Sequence, residues 1–169
     1  NMPKYEIIHK MLEGENPKTI LEVGVSAGEL LKEYAQENSV VVDGLDLFEH
    51  YKKEFQKNHP KGEFFHLNAH NVPWPIEKKY DVVIAVGFFS VLASDALPLL
   101  REMIRLGKKV IIAEWYEEGI TDSIKIVTWA PINTTLFPIR VGRDYKYILA
   151  KLGRRPEVTK FSDKWIIKI

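Results

Sequence analysis

The chain has 169 residues, of which 46% are hydrophobic and 28% charged, and a formal net charge of +1. That length suits one well-buried domain, and the near-neutral balance argues against bulk electrostatic attraction to nucleic acid. No cysteine is present, which excludes disulfides, thiolate metal sites and a cysteine nucleophile.

Helical and strand patterns alternate along residues 1–169, with no internal repeat or low-complexity linker, so a single domain is expected. Tyr5 to Glu13 has Ile8, Met11 and Leu12 on one stripe and stops at Gly14, a helix pattern. Thr19 to Val25 is an apolar run of buried-strand type. Glu29 to Glu37 has Leu30, Leu31, Tyr34 and Ala35 at helical spacing, and Ser39 to Leu47 is a second strand. Phe48 to Asn58 places Phe48, Tyr51 and Phe55 on one helical face before Pro60. Glu63 to Leu67 is a third strand. Tyr80 to Val86 is apolar on both faces after Asp81, as a central parallel strand requires. A helix over Ser94 to Leu106 precedes a fifth strand, Lys109 to Trp115. The stretch 116–142 is less regular, with Ile124 to Thr128 extended. Asp144 to Leu152 is a helix pattern. Glu157 to Phe161 and Trp165 to Ile169 form two strands close enough for an antiparallel hairpin. The order implies an α/β, doubly wound, mainly parallel seven-stranded sheet with a C-terminal antiparallel hairpin.

Ligands of such sheets bind at the carboxyl edge of the strands, beside the first. Three segments fall there. Glu22-Val23-Gly24-Val25-Ser26-Ala27-Gly28 leaves the first strand through a glycine turn, where Gly24 opens dihedrals that a Cβ resists and Gly28 permits close approach. Ser26-Ala27-Gly28-Glu29 also fits a capping box for the following helix. Asp46, followed by Leu47, ends the second strand 18 residues after Gly28, near the spacing at which an acid meets ribose hydroxyls; Asp43 is its rival. Leu67-Asn68-Ala69-His70-Asn71-Val72-Pro73-Trp74 follows the third strand.

Together with Tyr80 to Gly87, these segments resemble the class I, Rossmann-like S-adenosylmethionine-dependent methyltransferases over nearly the whole chain. The resemblance implies a transferase that uses S-adenosylmethionine and releases S-adenosylhomocysteine. By position, Glu22 to Gly28 would cradle the methionine part, with Glu22, Gly24, Val25, Ser26 and Gly28 as contacts. Asp46 would hold the ribose hydroxyls, with Leu47 beside it. Asn68 and Ala69 would meet the adenine edge, and Val86 and Gly87 the cofactor's amino group. Ser26 stands where the family's middle glycine usually is, and Asn68 where an Asp is common. The neutral amide should hold adenine less strongly than a carboxylate.

His70 and Glu114 are the candidate catalytic bases, by position at the carboxyl edge. Phe88, Trp115 and Tyr116 either wall a substrate pocket or belong to the core. No Asn/Asp-Pro-Pro-aromatic follows the fourth strand, which here runs Val86-Gly87-Phe88-Phe89, so DNA base methylation is not expected. A small-molecule acceptor is the first expectation. A non-catalytic cofactor-binding or scaffold subunit is one alternative. RNA or protein methylation through residues 140–169, whose charge is +6 against −5 for the remainder, is another. Gly24-Val25-Ser26-Ala27-Gly28 also matches a hydrolase nucleophile elbow, but no histidine follows His70 to complete a triad. His66 and His70 lie at metal-ligand spacing on a strand end and loop without a third ligand, so no metal is expected; His9, His50 and His59 are expected at the surface. No membrane segment or leader is read, and a cytoplasmic location is the expectation.

Overall fold

A computed structural model describes residues 4–89, 96–114, 125–127, 140–142, 144–161 and 164–169. Nine strands and five α-helices are described: α1 (Lys4–Leu12), β1 (Thr19–Val23), α2 (Lys32–Asn38), β2 (Val41–Asp46), α3 (Lys52–Asn58), β3 (Phe64–His66), β4 (Tyr80–Val86), α4 (Leu97–Leu106), β5 (Gly107–Glu114), β6 (Lys125–Val127), β7 (Arg140–Gly142), α5 (Tyr145–Ala150), β8 (Glu157–Phe161) and β9 (Lys164–Lys168). Seven of the strands form one sheet in the order β3-β2-β1-β4-β5-β9-β8. The first five run parallel, whereas β9 is antiparallel to both β5 and β8. β6 and β7 make a separate two-stranded ribbon. No described helix is long and apolar enough to cross a membrane.

The apolar runs of β1, β4 and β5 are buried on both faces because helices cover both. Leu99, Leu100, Met103 and Leu106 of α4 pack with Tyr145 and Leu149 of α5 on one side. Ile8, Met11 and Leu12 of α1 pack with Leu31, Tyr34 and Ala35 around α2 on the other. β1 and β4 start together because Asp81 accepts the backbone N–H groups of Lys18 and Thr19 at 2.9 and 3.1 Å. Their carboxyl ends are level too: Val23 lies opposite Leu45 on β2 and Ala85 on β4. The strands therefore deliver their following loops to one edge.

Three elements differ from the sequence expectation. α2 starts at Lys32 rather than Glu29, and Leu31 at its N-cap makes no side-chain cap bond. Ser26 and Gly28 both have left-handed backbone, with φ of 50° and 75°, which ends the capping-box reading. The expected helix over Phe48 to Asn58 divides into a single 3₁₀ turn, Glu49–Tyr51, and α3. Phe48 consequently lies outside the helix and is exposed, while Phe55 is fully buried. α4 is described only from Leu97, with Ala96 at its N-cap and Pro98 in its first turn.

Candidate functional site

The loop after β1 is held down by a missing side chain. Gly44, on β2, leaves room for Val25, whose Cγ1 lies 2.5 Å from where a Gly44 Cβ would stand. Val25 packs there with Phe55 and Phe64. Its side chain is core, so only its backbone is available to a ligand. The Gly24 and Val25 N–H groups both donate to Leu45 O, at 2.8 and 3.2 Å, which bends the chain over the end of β2.

Asp46 fastens the next turn. Its Oδ2 accepts the Ser26 N–H at 2.8 Å and its Oδ1 the Phe48 N–H at 2.9 Å. One carboxylate thus joins the loops after β1 and β2. Each oxygen retains a second acceptor position. Asp43, the rival on the same strand, is committed elsewhere: it accepts from Tyr80 Oη at 2.8 Å, Lys78 Nζ at 2.7 Å and the Glu63 N–H at 2.9 Å. Tyr80's hydroxyl is pushed far up by burial and by that bond to Asp43.

Gly28 serves packing more than ligand approach. A Cβ there would stand 2.6 Å from His59 Cδ2 and 2.9 Å from Phe55 Cδ2. His59 Nε2 lies 2.7 Å from Gly28 O and must be the donor, since a carbonyl only accepts. Contrary to the surface expectation, His59 is buried, and that burial lowers its pKa. Asn58 completes the clamp: its Nδ2 donates to Ala27 O at 2.8 Å and Glu29 Oε1 at 2.9 Å. The sequence reading missed Asn58, His59 and Gly44. The Asn-His pair at the end of a helical pattern was the available signal for the first two.

The loop after β3 is equally fixed. Asn68 Oδ1 accepts the His70 N–H at 3.0 Å, closing an Asx turn. Trp74 is buried, and its indole N–H donates to Ala69 O at 2.9 Å. From α4, Glu102 accepts the Trp74 N–H at 2.9 Å, and Arg105 donates to Trp74 O and Ile76 O, each at 3.1 Å. Arg105 in turn holds the Glu102 carboxyl below the usual carboxylate range. Asn68 and His70 are left exposed on this turn, and Leu47, after β2, is half exposed. His66 turns its Nε2 to Leu47 O at 2.9 Å, and among the described residues no group of three or more potential metal ligands gathers anywhere.

After β4, the Gly87 N–H donates to Ala113 O at 2.9 Å, and the Phe89 N–H donates to Glu114 Oε1 at 2.7 Å. Glu114 is fully buried and so fastens this turn to β5. The turn presents Phe88 to Gly24: a Cβ on Gly24 would meet the Phe88 ring at 2.5 Å. Gly24 therefore satisfies both a left-handed φ of 76° and an aromatic contact. Trp115 and Tyr116 lie outside the described residues, as does most of 116–142.

Beneath the β1 loop lies Glu22, 3% exposed, with no hydrogen-bond partner for Oε2 among the described residues. Burial, and secondarily the charge of Asp46, push its pKa up to about 8. Glu22, Gly24, Ser26, Asp46, Leu47, Asn68, Ala69, Val86 and Gly87 thus stand at or just after the carboxyl ends of β1, β2, β3 and β4, on one edge of the sheet.

A family profile described as a methyltransferase domain matches residues 20–109. No curated relative matches the sequence. Among solved structures, a glycopeptide N-methyltransferase complexed with S-adenosyl-L-methionine superposes with a TM-score of 0.67 and 13% identity, over 98% of this chain and 92% of that one. Magnesium protoporphyrin IX methyltransferase from Synechocystis PCC 6803, with the same ligand bound, gives 0.64 and 16%, over 98% and 76%. Human N-acetylserotonin methyltransferase gives 0.69 and 15%, over 98% of this chain and 50% of that one. At such identities these likenesses establish the fold.

Proposed function

The chain belongs to the methyltransferase-domain family, and from that premise we propose that it is an S-adenosylmethionine-dependent methyltransferase acting on a small molecule. The observation that carries this reading is Asp46. It ends β2, pins the glycine turn through Ser26, and keeps acceptor positions for a vicinal diol. The orphaned Oε2 of Glu22 under the same turn fits a cationic ligand. When bound, S-adenosylmethionine supplies a methyl group already activated by its sulfonium, leaving S-adenosylhomocysteine after transfer.

The chain's own work is then alignment and exclusion of water. Gly24, Val25, Ser26 and Gly28 offer backbone along the methionine part, and Asp46 accepts from the ribose hydroxyls beside Leu47. Asn68 presents an amide whose Oδ1 already accepts one N–H, next to Ala69 for the adenine edge. Val86 and Gly87 offer carbonyls to the amino group. Phe88 walls the acceptor side. His70, exposed on the turn after β3, takes a proton from acceptors that must lose one, whereas Glu114 acts by holding Phe89. The small-molecule assignment is supported by the low net charge, by the absence of an adenine-methylating motif after β4, and by neighbours named for glycopeptide and porphyrin methylation.

Thermal unfolding with S-adenosylhomocysteine tests this. At 100 times the dissociation constant the fold gains about 2.7 kcal/mol, which raises the midpoint by roughly 5–10 °C in a domain of this size. Asp46→Ala should lose most of that rise. No shift in the wild type at millimolar ligand refutes the cofactor assignment, and an undiminished shift in Asp46→Ala refutes the ribose role.

A further inference from the structure

We propose that Glu22 sets the charge preference of this site, giving its proton to solvent when a cationic sulfonium ligand binds and recovering it when the ligand is the neutral thioether. The inference rests on the methyltransferase reading above and goes beyond it by assigning Glu22 a role in telling substrate cofactor from product.

The geometry points this way on four counts. Glu22 lies on β1 two residues before Gly24, in register with Gly44 on β2 and Ile84 on β4, so it sits directly under the turn that would cradle the ligand. It is 3% exposed, and its Oε2 is without a hydrogen-bond partner among the described residues. Alternation along β1 puts it on the side of Ile20, whose cluster includes Val42, Ile84, Leu31 and Ile8. Among the described residues no ion pair reaches it. A carboxyl in such a place is better off neutral than charged, because burial strips the ion of water and nothing replaces it.

The titratable groups on the surrounding elements sharpen the case. On β2, Asp46 is the one charged group that acts on Glu22, and it does so as a like charge. On α2, Tyr34 is itself pushed up by burial, and Lys32 acts on His59 instead. Glu29, in the loop, is bonded by Asn58. α1 and β4 contribute apolar residues to this side. Among the described residues no cation therefore stabilises an ionised Glu22, and a positive charge brought by a ligand would supply the partner. The sulfonium carries one positive charge that its demethylated product lacks, whereas the amino and carboxyl groups are common to both. Ionisation of Glu22 thus follows the methyl group: the proton leaves to solvent on binding of the charged form and returns once the methyl has gone. This weakens the grip on product relative to substrate cofactor.

Titration calorimetry in two buffers of different ionisation enthalpy, from pH 6 to 8, counts the protons exchanged. Wild-type protein should release about half a proton or more per S-adenosylmethionine at pH 7 and about none per S-adenosylhomocysteine; the affinity ratio of the two should rise about tenfold across that range. Glu22→Gln should abolish both the release and the pH dependence while S-adenosylhomocysteine still binds. S-adenosylmethionine binding without proton release, or release that persists in Glu22→Gln, overturns the assignment and leaves the methyltransferase reading standing. Failure of wild-type protein to bind either ligand overturns both.

Discussion

Replacing Gly44 by alanine adds one methyl to β2, and the structure shows where it goes. The new Cβ would lie 2.5 Å from Val25 Cγ1, 2.8 Å from Val25 Cβ and 2.8 Å from Phe55 Cε2. The strand cannot retreat, because Gly44 pairs with Glu22 on β1 and Phe64 on β3 and its N–H donates to Glu63 O at 2.9 Å. Val25 must move instead, and Val25 sits between Gly24 and Ser26 in the turn after β1. Overpacking of this kind costs about 2 kcal/mol, which lowers the urea midpoint by about 1 M at ordinary slopes. The same displacement should weaken S-adenosylhomocysteine binding by about tenfold, since the Ser26 N–H to Asp46 bond moves with the turn. A double-mutant cycle isolates the cause. Val25→Ala removes the atom at 2.5 Å, so Gly44→Ala/Val25→Ala should be less destabilised than the sum of the singles by about 1 kcal/mol. Strict additivity of the two changes, or an unchanged midpoint in Gly44→Ala, refutes the argument that Val25 seats the turn on Gly44.

Two further outcomes follow from the bonds of Asp81 and Arg105. Asp81, held down to about 2 from 3.8 chiefly by Lys108 and by backbone N–H groups, contributes stability above its unfolded pKa that is lost as pH falls from 3.8 towards 2. With solvent screening of its partly exposed side chain, Asp81→Asn should cost about 1 kcal/mol at pH 7 and progressively less in denaturant titrations below pH 4. Arg105→Ala removes the donors to Trp74 O and Ile76 O and leaves Glu102 without its cation. It should cost about 2 kcal/mol and loosen the Asn68–Trp74 turn, seen as faster amide exchange there; Arg105→Lys should not rescue it, because an ammonium cannot span both carbonyls and the carboxylate.

The parallel run of strands and the closing antiparallel hairpin were legible in the chain because they follow from the alternation of strand and helix patterns. Unbroken apolar runs such as Val82–Val86 must be buried on both faces, and alternation of strand with helix leaves little choice but a parallel, doubly wound sheet closed by the short hairpin. Asp46 and the Gly24 turn were legible for the same reason, since each follows a strand end. The sequence put Asp46 ahead of Asp43 by its place at the strand end, but it could not show the bonds that commit each acid. Asp43 and Asp46 differ in which neighbours the sheet brings to them: Tyr80 and Lys78 for one, Ser26 and Phe48 for the other. Nor could it show that Gly44 is a seat for Val25, that Gly28 makes room for His59, or that Ser26 is too left-handed to cap α2. Those depend on contacts between residues 19 to 31 positions apart, which periodicity does not encode. The linear pattern determined which loops the sheet delivers to its carboxyl edge; only the folded arrangement decided what each side chain at that edge is free to do, because hydrogen bonding and exclusion from water are set by partners distant in sequence.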